Sequence, residues 1–386
     1  MVELDRLRAA IDVDAVIAGV GRWVAIETPS RDAAAVNRLM DLVALDAAAA
    51  NLAVTRFPGR DGFGDMLRLE SRPDDAGPRL LVVTHLDTVH PIGSLAALPF
   101  HRDGDRLYGP GVYDMKGGAY LALEAFRALA AVGGAPRLPL VILVMSDEEA
   151  GSPIGRDLIE MEAKRAAAAL VVEPARDGGR IVTARNGAAR YRLFATGKPA
   201  HSGSRHQDGA SAIREIAAKT VGLEAMTDYG RGLTVNIGVI AAGTAVNVIP
   251  ARAEAEVDIR VPDLATAAEI EARMTGLKAE IPGVTLVVTG GLNRPPMERT
   301  EAVSALFRRA QTLAAEIGFD LETVPRTGGG SDGNFTAALG VPTLDGLGVD
   351  GAGAHTLEEH MLISSIQPRC ALLARLYETV DPEMFV

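Results

Sequence analysis

The sequence has a single cysteine and few aromatic residues, and its charge is mainly negative. Because Cys370 stands alone, an internal disulfide and a zinc site made of several cysteines are both excluded. Aromatic residues form only 4% of the chain, which leaves few platforms on which single-stranded nucleic acid could stack. The 39 Lys and Arg against 50 Asp and Glu give a net charge of -11, which repels phosphate backbones and anionic lipids. A nucleic-acid partner is therefore not expected.

Long apolar runs are also lacking. No stretch of about 18 apolar residues occurs, so we expect no membrane span. Acidic residues interrupt the N-terminal positions where a secretory signal peptide needs an unbroken apolar run, so we expect a cytoplasmic protein. The 386 residues are 48% hydrophobic and 23% charged, which is typical of a globular protein of two or three domains. Cys370 falls in an apolar helical pattern and is expected to be a buried, inert thiol.

Short apolar runs alternate with helical patterns along the first part of the chain. Runs at 79–84, 138–145 and 168–172 each lead into polar or acidic residues, and a helix is expected at 118–132. Continuous Val, Ile and Leu are typical of buried strands in an α/β sheet. Ligands of open α/β folds bind at the carboxyl ends of such strands. We therefore expect an α/β catalytic domain with a mixed sheet and its site at these strand ends.

The middle of the chain has a different pattern. Between 187 and 295 the expected elements follow the order βαββαβ, and residues 253–259 alternate with the period of a half-exposed strand. This order is that of the ferredoxin-like, or split βαβ, motif. We therefore expect an inserted domain at 187–295 within a larger domain formed by 1–186 and 296–386.

Histidines and acidic residues at the expected strand ends and loops supply candidate metal ligands. His85 and Asp87 lie two positions apart, so their side chains share a face and the carboxylate can orient the imidazole. Imidazoles and carboxylates without cysteine suit zinc and similar divalent cations. Two ions need five or more ligands with one carboxylate shared. Five residues supply that number: His85, Asp114, Glu149, Glu173 and His355. Glu148 then remains as a candidate base.

A second chemistry is also compatible with the sequence. The run Gly-Gly-Ser-Asp-Gly at 329–333 matches the serine-hydrolase elbow, with Ser331 as the nucleophile. An aspartate (Asp345 or Asp350) and a histidine (His355 or His360) follow in the order of a triad. This alternative leaves the acidic residues and His85 described above without a role. A zincin helix is excluded, because no His-Glu-x-x-His motif occurs.

Six motifs carry a resemblance to a known family. They are THLDTV at 84–89, GPGVYDMKGG at 109–118, SDEEAGS at 146–152, VEP at 172–174, GKPAHSG at 197–203 and RTGGGSD at 326–332. Together they span nearly the whole chain, which resembles the M20 metallopeptidases and, within them, the bacterial glutamate carboxypeptidases.

This resemblance implies a role for each candidate residue of the metal site. It implies two Zn²⁺ ions, with Co²⁺ or Mn²⁺ as alternatives, bridged by Asp114. One ion would be held by His85 and Glu173, and the other by Glu149 and His355. The resemblance further implies that Glu148 is the general base, that Asp87 orients His85 and that a cis peptide bond follows Asp114.

The resemblance also suggests residues outside the metal site. It implies a homodimer formed through a lid domain, with His201 of the partner subunit donating to the developing oxyanion. Arg294 and Asn236 are candidates for binding the substrate, and arginine suits a carboxylate through paired hydrogen bonds. The backbone amides of Gly329 and Gly330 could approach the same carboxylate closely.

The expected reaction is hydrolysis of an amide next to a free carboxylate in a small molecule or short peptide. Release of a C-terminal glutamate-like residue is the first expectation, since Glu173 at its ligand position resembles carboxypeptidases and deacylases more than aminopeptidases. Removal of the acyl group from an N-acyl amino acid is the alternative, because it breaks the same type of bond. An inactive amino-acid-binding homologue is less consistent with Glu148, because binding alone requires no base.

Overall fold

The structure is a computed structural model that describes residues 1–385, and it divides into two compact units. The first unit contains residues 1–184, 299–327 and 331 onward, and the second contains residues 185–298 and 328–330. Each unit has its own apolar core. None of the helices within the described residues has both the length and the apolar composition that crossing a membrane requires.

The short glycine segment 328–330 departs from the expected division, which gave it to the larger domain. In the structure it groups with the second unit. Arg185 Nη1 donates to the carbonyl oxygen of Gly329 at 3.1 Å, and Arg260 Nη1 lies 3.5 Å from that of Gly328. Two arginines of the second unit therefore bind this segment through its backbone, which the sequence pattern did not indicate.

The helices of residues 1–385 are numbered in chain order. They are α1 Leu4–Ala10, α2 Val13–Val24, α3 Ala33–Ala49, α4 Ser94–Ala97, α5 Gly117–Ala131, α6 Arg156–Ala163, α7 Ala212–Glu224, α8 Leu264–Thr275, α9 Glu301–Ile317, α10 Gly333–Ala338 and α11 Ile366–Thr379.

The strands are numbered in the same way. They are β1 Ala53–Phe57, β2 Met66–Glu70, β3 Arg79–His85, β4 His101–Asp103, β5 Arg106–Tyr108, β6 Leu140–Met145, β7 Ala166–Val171, β8 Ile181–Val182, β9 Gly187–Thr196, β10 Thr234–Ala242, β11 Arg252–Val261, β12 Thr285–Arg294, β13 Thr323–Val324, β14 Thr343–Leu344, β15 Gly351–Ala352 and β16 His360–Leu362.

A six-stranded mixed sheet forms the centre of the first unit. Its strand order is β1-β2-β6-β3-β7-β14. Strands β6, β3, β7 and β14 run parallel, and β1 and β2 join antiparallel at one edge. Every residue of β3 and β6 is buried, as their continuous apolar sequences predict. The α/β fold with a mixed sheet is therefore confirmed.

Helices α5 and α11 contribute much of the core beside this sheet. Eleven of the fifteen residues of α5 are buried, so almost the whole helix lies inside the unit. Cys370 on α11 is fully buried, and burial raises the pKa of its thiol well above the ordinary value. A thiol that stays protonated and is shielded from solvent is inert, as expected.

The second unit is built on a four-stranded antiparallel sheet. Its elements follow the order β9-α7-β10-β11-α8-β12, and the strands lie in the order β10-β11-β9-β12. Alternate residues of β11 are buried together with the apolar residues of α7 and α8. The opposite face of the sheet is charged and exposed, and there Arg192 pairs with Glu256 at 2.8 Å. The βαββαβ order read from the sequence thus describes this unit.

A buried cluster of four charged residues joins the central sheet to α6. Glu162 lies 2.8 Å from Arg68 Nη1 and 3.4 Å from Arg79 Nη1. Glu70 lies 2.9 Å from Arg79 Nη1 and 3.0 Å from Arg68 Nε. Two negative and two positive charges balance one another in a place that water hardly reaches, so each charge depends on the other three.

Replacing Glu162 with alanine is expected to destabilise the protein strongly. The change leaves Arg79, which is only 3% exposed, short of a partner, and breaking a buried ion pair costs about 3–5 kcal/mol. The free energy of unfolding, measured with urea, gives the result. Glu160→Ala on the same helix is the matched control, because Glu160 pairs with Arg156 near the surface and should cost less than about 1 kcal/mol. Equal losses in both variants would contradict the role of the cluster.

Candidate metal centre

Three neighbouring parallel strands end at the same edge of the large sheet and carry candidate ligands there. His85 is the last residue of β3, and Glu173 follows the end of β7 by two residues. Glu148 and Glu149 lie in a short 3-10 turn, Glu148–Ala150, which begins three residues after the end of β6. Because β6, β3 and β7 are adjacent and parallel, these residues meet at one edge, as the sequence predicts.

Asp114 reaches the same edge from a tight turn, Val112–Lys116, between β5 and α5. The Asp114–Met115 peptide bond is cis, as the resemblance implied. Gly111 opens the turn with φ 73°, and a Cβ there would lie 2.6 Å from the side chain of Thr88. A glycine is therefore required where this loop begins.

His355 comes from a distant part of the chain, the loop between β15 and β16. The small sheet β15-β16-β5-β4 pairs this region with the strand that precedes the Asp114 turn. His355 Nε2 lies 3.2 Å from Glu149 Oε1 and 3.4 Å from Asp114 Oδ2. The side chain is half exposed, so this side of the centre is open to solvent.

The carboxylate of Asp114 lies between the two imidazoles. Its Oδ1 is 3.3 Å from His85 Nε2, whereas its Oδ2 faces His355. His85 Nε2 is also 3.6 Å from Glu173 Oε1. The five candidate ligands therefore form two groups that share Asp114, which is the geometry that a bridging carboxylate requires.

Asp87 lies behind this centre and is fully buried. Its Oδ1 is 3.5 Å from His85 Nδ1, and its backbone carbonyl lies 3.0 Å from the same nitrogen. The carboxylate accepts hydrogen bonds from the backbone N–H groups of Glu148 and Glu149 at 3.1 and 3.2 Å. Asp87 thus fixes both the ring of His85 and the turn that carries the acidic pair.

The donor atoms fit divalent cations. His85 Nε2 and Glu149 Oε1 are buried, and their contacts with Asp114 and His355 at 3.3 and 3.2 Å lack hydrogen-bond geometry, so a cation would satisfy both atoms. Ligand atoms of His85, Asp114 and Glu149 lie within 4.8 Å of one another, and so do those of His85, Glu148 and Glu173. Imidazoles combined with carboxylates are typical of zinc and related ions. Glu148 therefore stands beside the candidate ligands, as a base would.

The electrostatics of the cluster favour the binding of positive charge. Burial lowers the pKa of His85, but Asp114 and Asp87 outweigh it and hold that pKa well above its ordinary value. Asp114 and Glu149 raise the pKa of His355 to about 10. Burial and the charge of Asp114 raise the pKa of Glu173 well above its ordinary value. Crowded carboxylates draw protons into this centre, and a divalent cation supplies the same positive charge.

Five other candidate residues lie in the second unit. His201 is exposed, and its Nδ1 accepts hydrogen bonds from the N–H groups of Gly203 and Ser204. Asn236 is exposed on β10, whereas Arg294 is buried at the end of β12. Gly329 and Gly330 belong to the segment bound by Arg185 and Arg260.

The serine-hydrolase alternative is not supported. Ser331 is fully buried, and its hydroxyl donates to Asp345 Oδ2 at 2.5 Å and accepts from the Gly333 N–H at 3.1 Å. In residues 1–385 no hydrogen bond joins this hydroxyl to a histidine, which a triad requires. His355 faces Asp114 and Glu149 instead.

No motif in the sequence indicates that Glu359 supports the candidate metal centre. This fully buried carboxylate accepts hydrogen bonds from the N–H groups of Gly111, Tyr113 and Asp114 at 3.0, 2.9 and 2.9 Å. Its Oε2 also lies 2.6 Å from His90 Nε2. Glu359 therefore holds the loop that presents Asp114. The only signal in the sequence was its closeness to His355, which the neighbouring, exposed Glu358 shares.

Comparison with known proteins identifies the family. Residues 81–379 match the model of peptidase family M20/M25/M40. The chain belongs to this family. It is therefore an M20 metallopeptidase, and the membership that the motifs implied is confirmed.

Relatives of this M20 metallopeptidase differ in their substrates. Carboxypeptidase G2 of Pseudomonas sp. (strain RS-16) is 32% identical, over 94% of this chain and 88% of that protein. Succinyl-diaminopimelate desuccinylase of Alkalilimnicola ehrlichii is 28% identical, over 82% of this chain and 87% of that protein. The crystal structure of aminopeptidase PepT from Bacillus cereus matches with a TM-score of 0.77 at 21% identity, over 96% and 99% of the two chains. The last likeness shows a common fold.

Metal binding to this M20 metallopeptidase is expected to strengthen as the pH rises. With a pKa of about 10, His355 carries a proton at neutral pH that the cation must displace. Removing this proton costs less free energy at higher pH, so the cation binds more tightly there. Calorimetric titration of the metal-free protein with Zn²⁺ between about pH 6 and about pH 9, in buffers of different ionisation enthalpy, measures affinity and released protons. An affinity that is independent of pH, with no proton release, would contradict this expectation.

Glu359→Gln is expected to weaken binding of Zn²⁺ by about 10–100-fold, since partners that orient metal ligands have effects of this size. The side-chain amide of the glutamine can no longer accept hydrogen bonds from all the N–H groups that hold the turn of Asp114. Glu358→Gln is the matched control. Glu358 is the exposed neighbour of Glu359, so this variant should bind Zn²⁺ as the unmodified protein does. Calorimetry on both variants, with circular dichroism to confirm folding, gives the comparison. Equal affinities would show that Glu359 does not act on the centre.

Proposed function

We propose that this chain is a carboxypeptidase that hydrolyses the amide bond before a C-terminal glutamate-like residue. The observation that carries the proposal is the carboxylate of Asp114 between two imidazoles, with Glu148 beside them. The 32% identity to carboxypeptidase G2 over nearly the whole chain supports this choice of reaction. The substrate would be a small molecule or short peptide with a free carboxylate.

The proposed cofactors are two Zn²⁺ ions, with Co²⁺ or Mn²⁺ as alternatives. When bound, such ions lower the pKa of water and polarise a carbonyl group. His85, Asp114 and Glu173 would hold one ion, and Asp114, Glu149 and His355 the other. Asp87 would keep His85 in the orientation for binding by contacting its Nδ1.

Glu148 is the proposed general base. Its carboxylate would take a proton from the attacking water and pass it to the nitrogen of the leaving amine. The backbone of Glu148 is held by Asp87 at 3.1 Å, so the base has a fixed starting position. A positioned base contributes about 10²–10⁴-fold to the rate of such reactions.

The second unit is proposed to act as a ferredoxin-like lid and dimerisation domain in a cytoplasmic homodimer. His201 of one subunit would donate to the oxyanion that develops in the site of the other. Arg294 and the amides of Gly329 and Gly330 are proposed to bind the substrate carboxylate, and Asn236 is proposed to help bind the substrate. Their chemistry supports this role, because guanidinium and backbone N–H groups are strong donors to carboxylates.

Deacylation of an N-acyl amino acid is the second candidate function. The 28% identity to succinyl-diaminopimelate desuccinylase favours it. Both reactions break an amide next to a free carboxylate, so the same base and ligands would serve either one. Rates with glutamate-terminated dipeptides and with N-acyl amino acids separate the two.

Glu148→Gln is expected to retain two equivalents of Zn²⁺ and to lose turnover by at least about 10²-fold, because the amide cannot accept the proton of the attacking water. Elemental analysis and hydrolysis of dipeptides ending in glutamate measure the two effects. Glu358→Gln serves as the control with normal activity.

Two outcomes would count against the proposed function. Undiminished turnover in Glu148→Gln would overturn the assignment of the base. Inhibition by a serine-directed phosphonate but not by a chelator would overturn the metal mechanism.

A further inference from the structure

We propose that a depression lined by apolar residues and by His355 is the subsite for the acyl portion of the substrate, and that it selects an apolar acyl group. This inference rests on the proposed hydrolysis of an N-acyl or peptidyl amino acid and names the substrate class. It predicts that an acidic acyl group, such as succinyl, is disfavoured.

The depression lies between two loops of the first unit, residues 89–97 and 355–357. Its volume is about 540 Å³, within the range of sites that bind small molecules. Apolar residues make up half of its ten lining residues: Val89, Pro91, Ile92, Ala97 and Leu357. Val89, Ile92 and Leu357 are 43%, 55% and 58% exposed, so apolar surface faces solvent and remains available to a ligand.

His355 connects the depression to the metal centre. It lines the depression, while its Nε2 faces Asp114 and Glu149 at 3.4 and 3.2 Å. A substrate whose amide lies at the centre can therefore extend to these apolar residues. The two sites are separated by a single side chain.

The charges around the depression decide which part of the substrate it takes. Among the described residues, no Asp, Glu, Lys or Arg lines it. The imidazole of His90 also lines it but directs Nε2 to the buried carboxylate of Glu359 at 2.6 Å. An N-acyl glutamate carries its charges on the amino-acid side of the amide. Apart from the two imidazoles, an acyl group in the depression meets only apolar and neutral groups, so the acyl side of the substrate fits it better than the charged amino-acid side.

Hydrogen bonds hold the first loop of the depression in place. Glu27 accepts from the N–H groups of Gly93 and Leu95 at 2.8 and 2.7 Å. The hydroxyl of Ser94 donates to the carbonyl oxygen of Pro91 at 2.6 Å. A loop fixed in this way binds an apolar group without a large ordering cost.

The test compares four N-acyl glutamates on the Zn²⁺-loaded protein: acetyl, hexanoyl, 6-aminohexanoyl and succinyl. Burial of the longer apolar chain should raise kcat/KM for hexanoyl at least about tenfold above acetyl, with succinyl the poorest. Ile92→Asp should lower kcat/KM for hexanoyl by about tenfold and shift the preference towards the cationic 6-aminohexanoyl compound. Calorimetric binding of the same compounds to Glu148→Gln should show the same order without turnover.

Leu45→Asp is the matched control. Leu45 is 69% exposed on α3 of the same unit and lies outside the depression, so this change should leave the order of acyl groups unaltered. If the compounds are hydrolysed at similar rates, or if Ile92→Asp affects all of them equally, the subsite is wrong while the proposed function stands. If none of these compounds and no glutamate-terminated dipeptide is hydrolysed, the proposed function fails and the subsite falls with it.

Discussion

The carboxylate of Asp114 must remain between the imidazoles of His85 and His355, and the candidate metal centre depends on this constraint. Its two oxygens lie 3.3 and 3.4 Å from the two Nε2 atoms. The three side chains come from β3, from the turn before α5 and from the loop between β15 and β16. Their meeting requires both the large mixed sheet and the small sheet of the first unit. A shift of either element would separate the two groups of ligands.

Two buried carboxylates that are not candidate ligands maintain this constraint. Asp87 accepts from the backbone of Glu148 and Glu149, and Glu359 accepts from the turn that carries Asp114. A buried charge is tolerated only where donors surround it, so each carboxylate draws backbone N–H groups towards itself. The loops of the centre are thereby held by buried charge in addition to the apolar packing of residues such as Val112 and Met115. His90, which contacts Glu359, extends this arrangement to the loop of the proposed acyl subsite.

The candidate ligands on strands could be predicted from the sequence because the rules that govern them are local. A continuous apolar run predicts a buried strand, and parallel strands bring their carboxyl ends to one edge. His85, Glu149 and Glu173 follow from these two rules. His355 and Asp114 lie on loops that these rules do not position, and their roles as ligand of the second ion and as bridge came from the family resemblance. Ser331 shows the limit of motif reading, since its motif matches an elbow while its hydroxyl is buried against Asp345.

The sequence by itself determined the α/β class, the βαββαβ order of the second unit and the residue types at the strand ends. These depend on the periodicity of apolar residues along the chain and on the motifs that mark the family. Only the tertiary structure distinguished Glu359 from Glu358, grouped residues 328–330 with the second unit and revealed the apolar depression that His355 lines. The physical reason is that burial and hydrogen bonding are relations between segments far apart in the chain. Glu358 and Glu359 are chemically identical neighbours, and only the surrounding loops decide which of them loses contact with water.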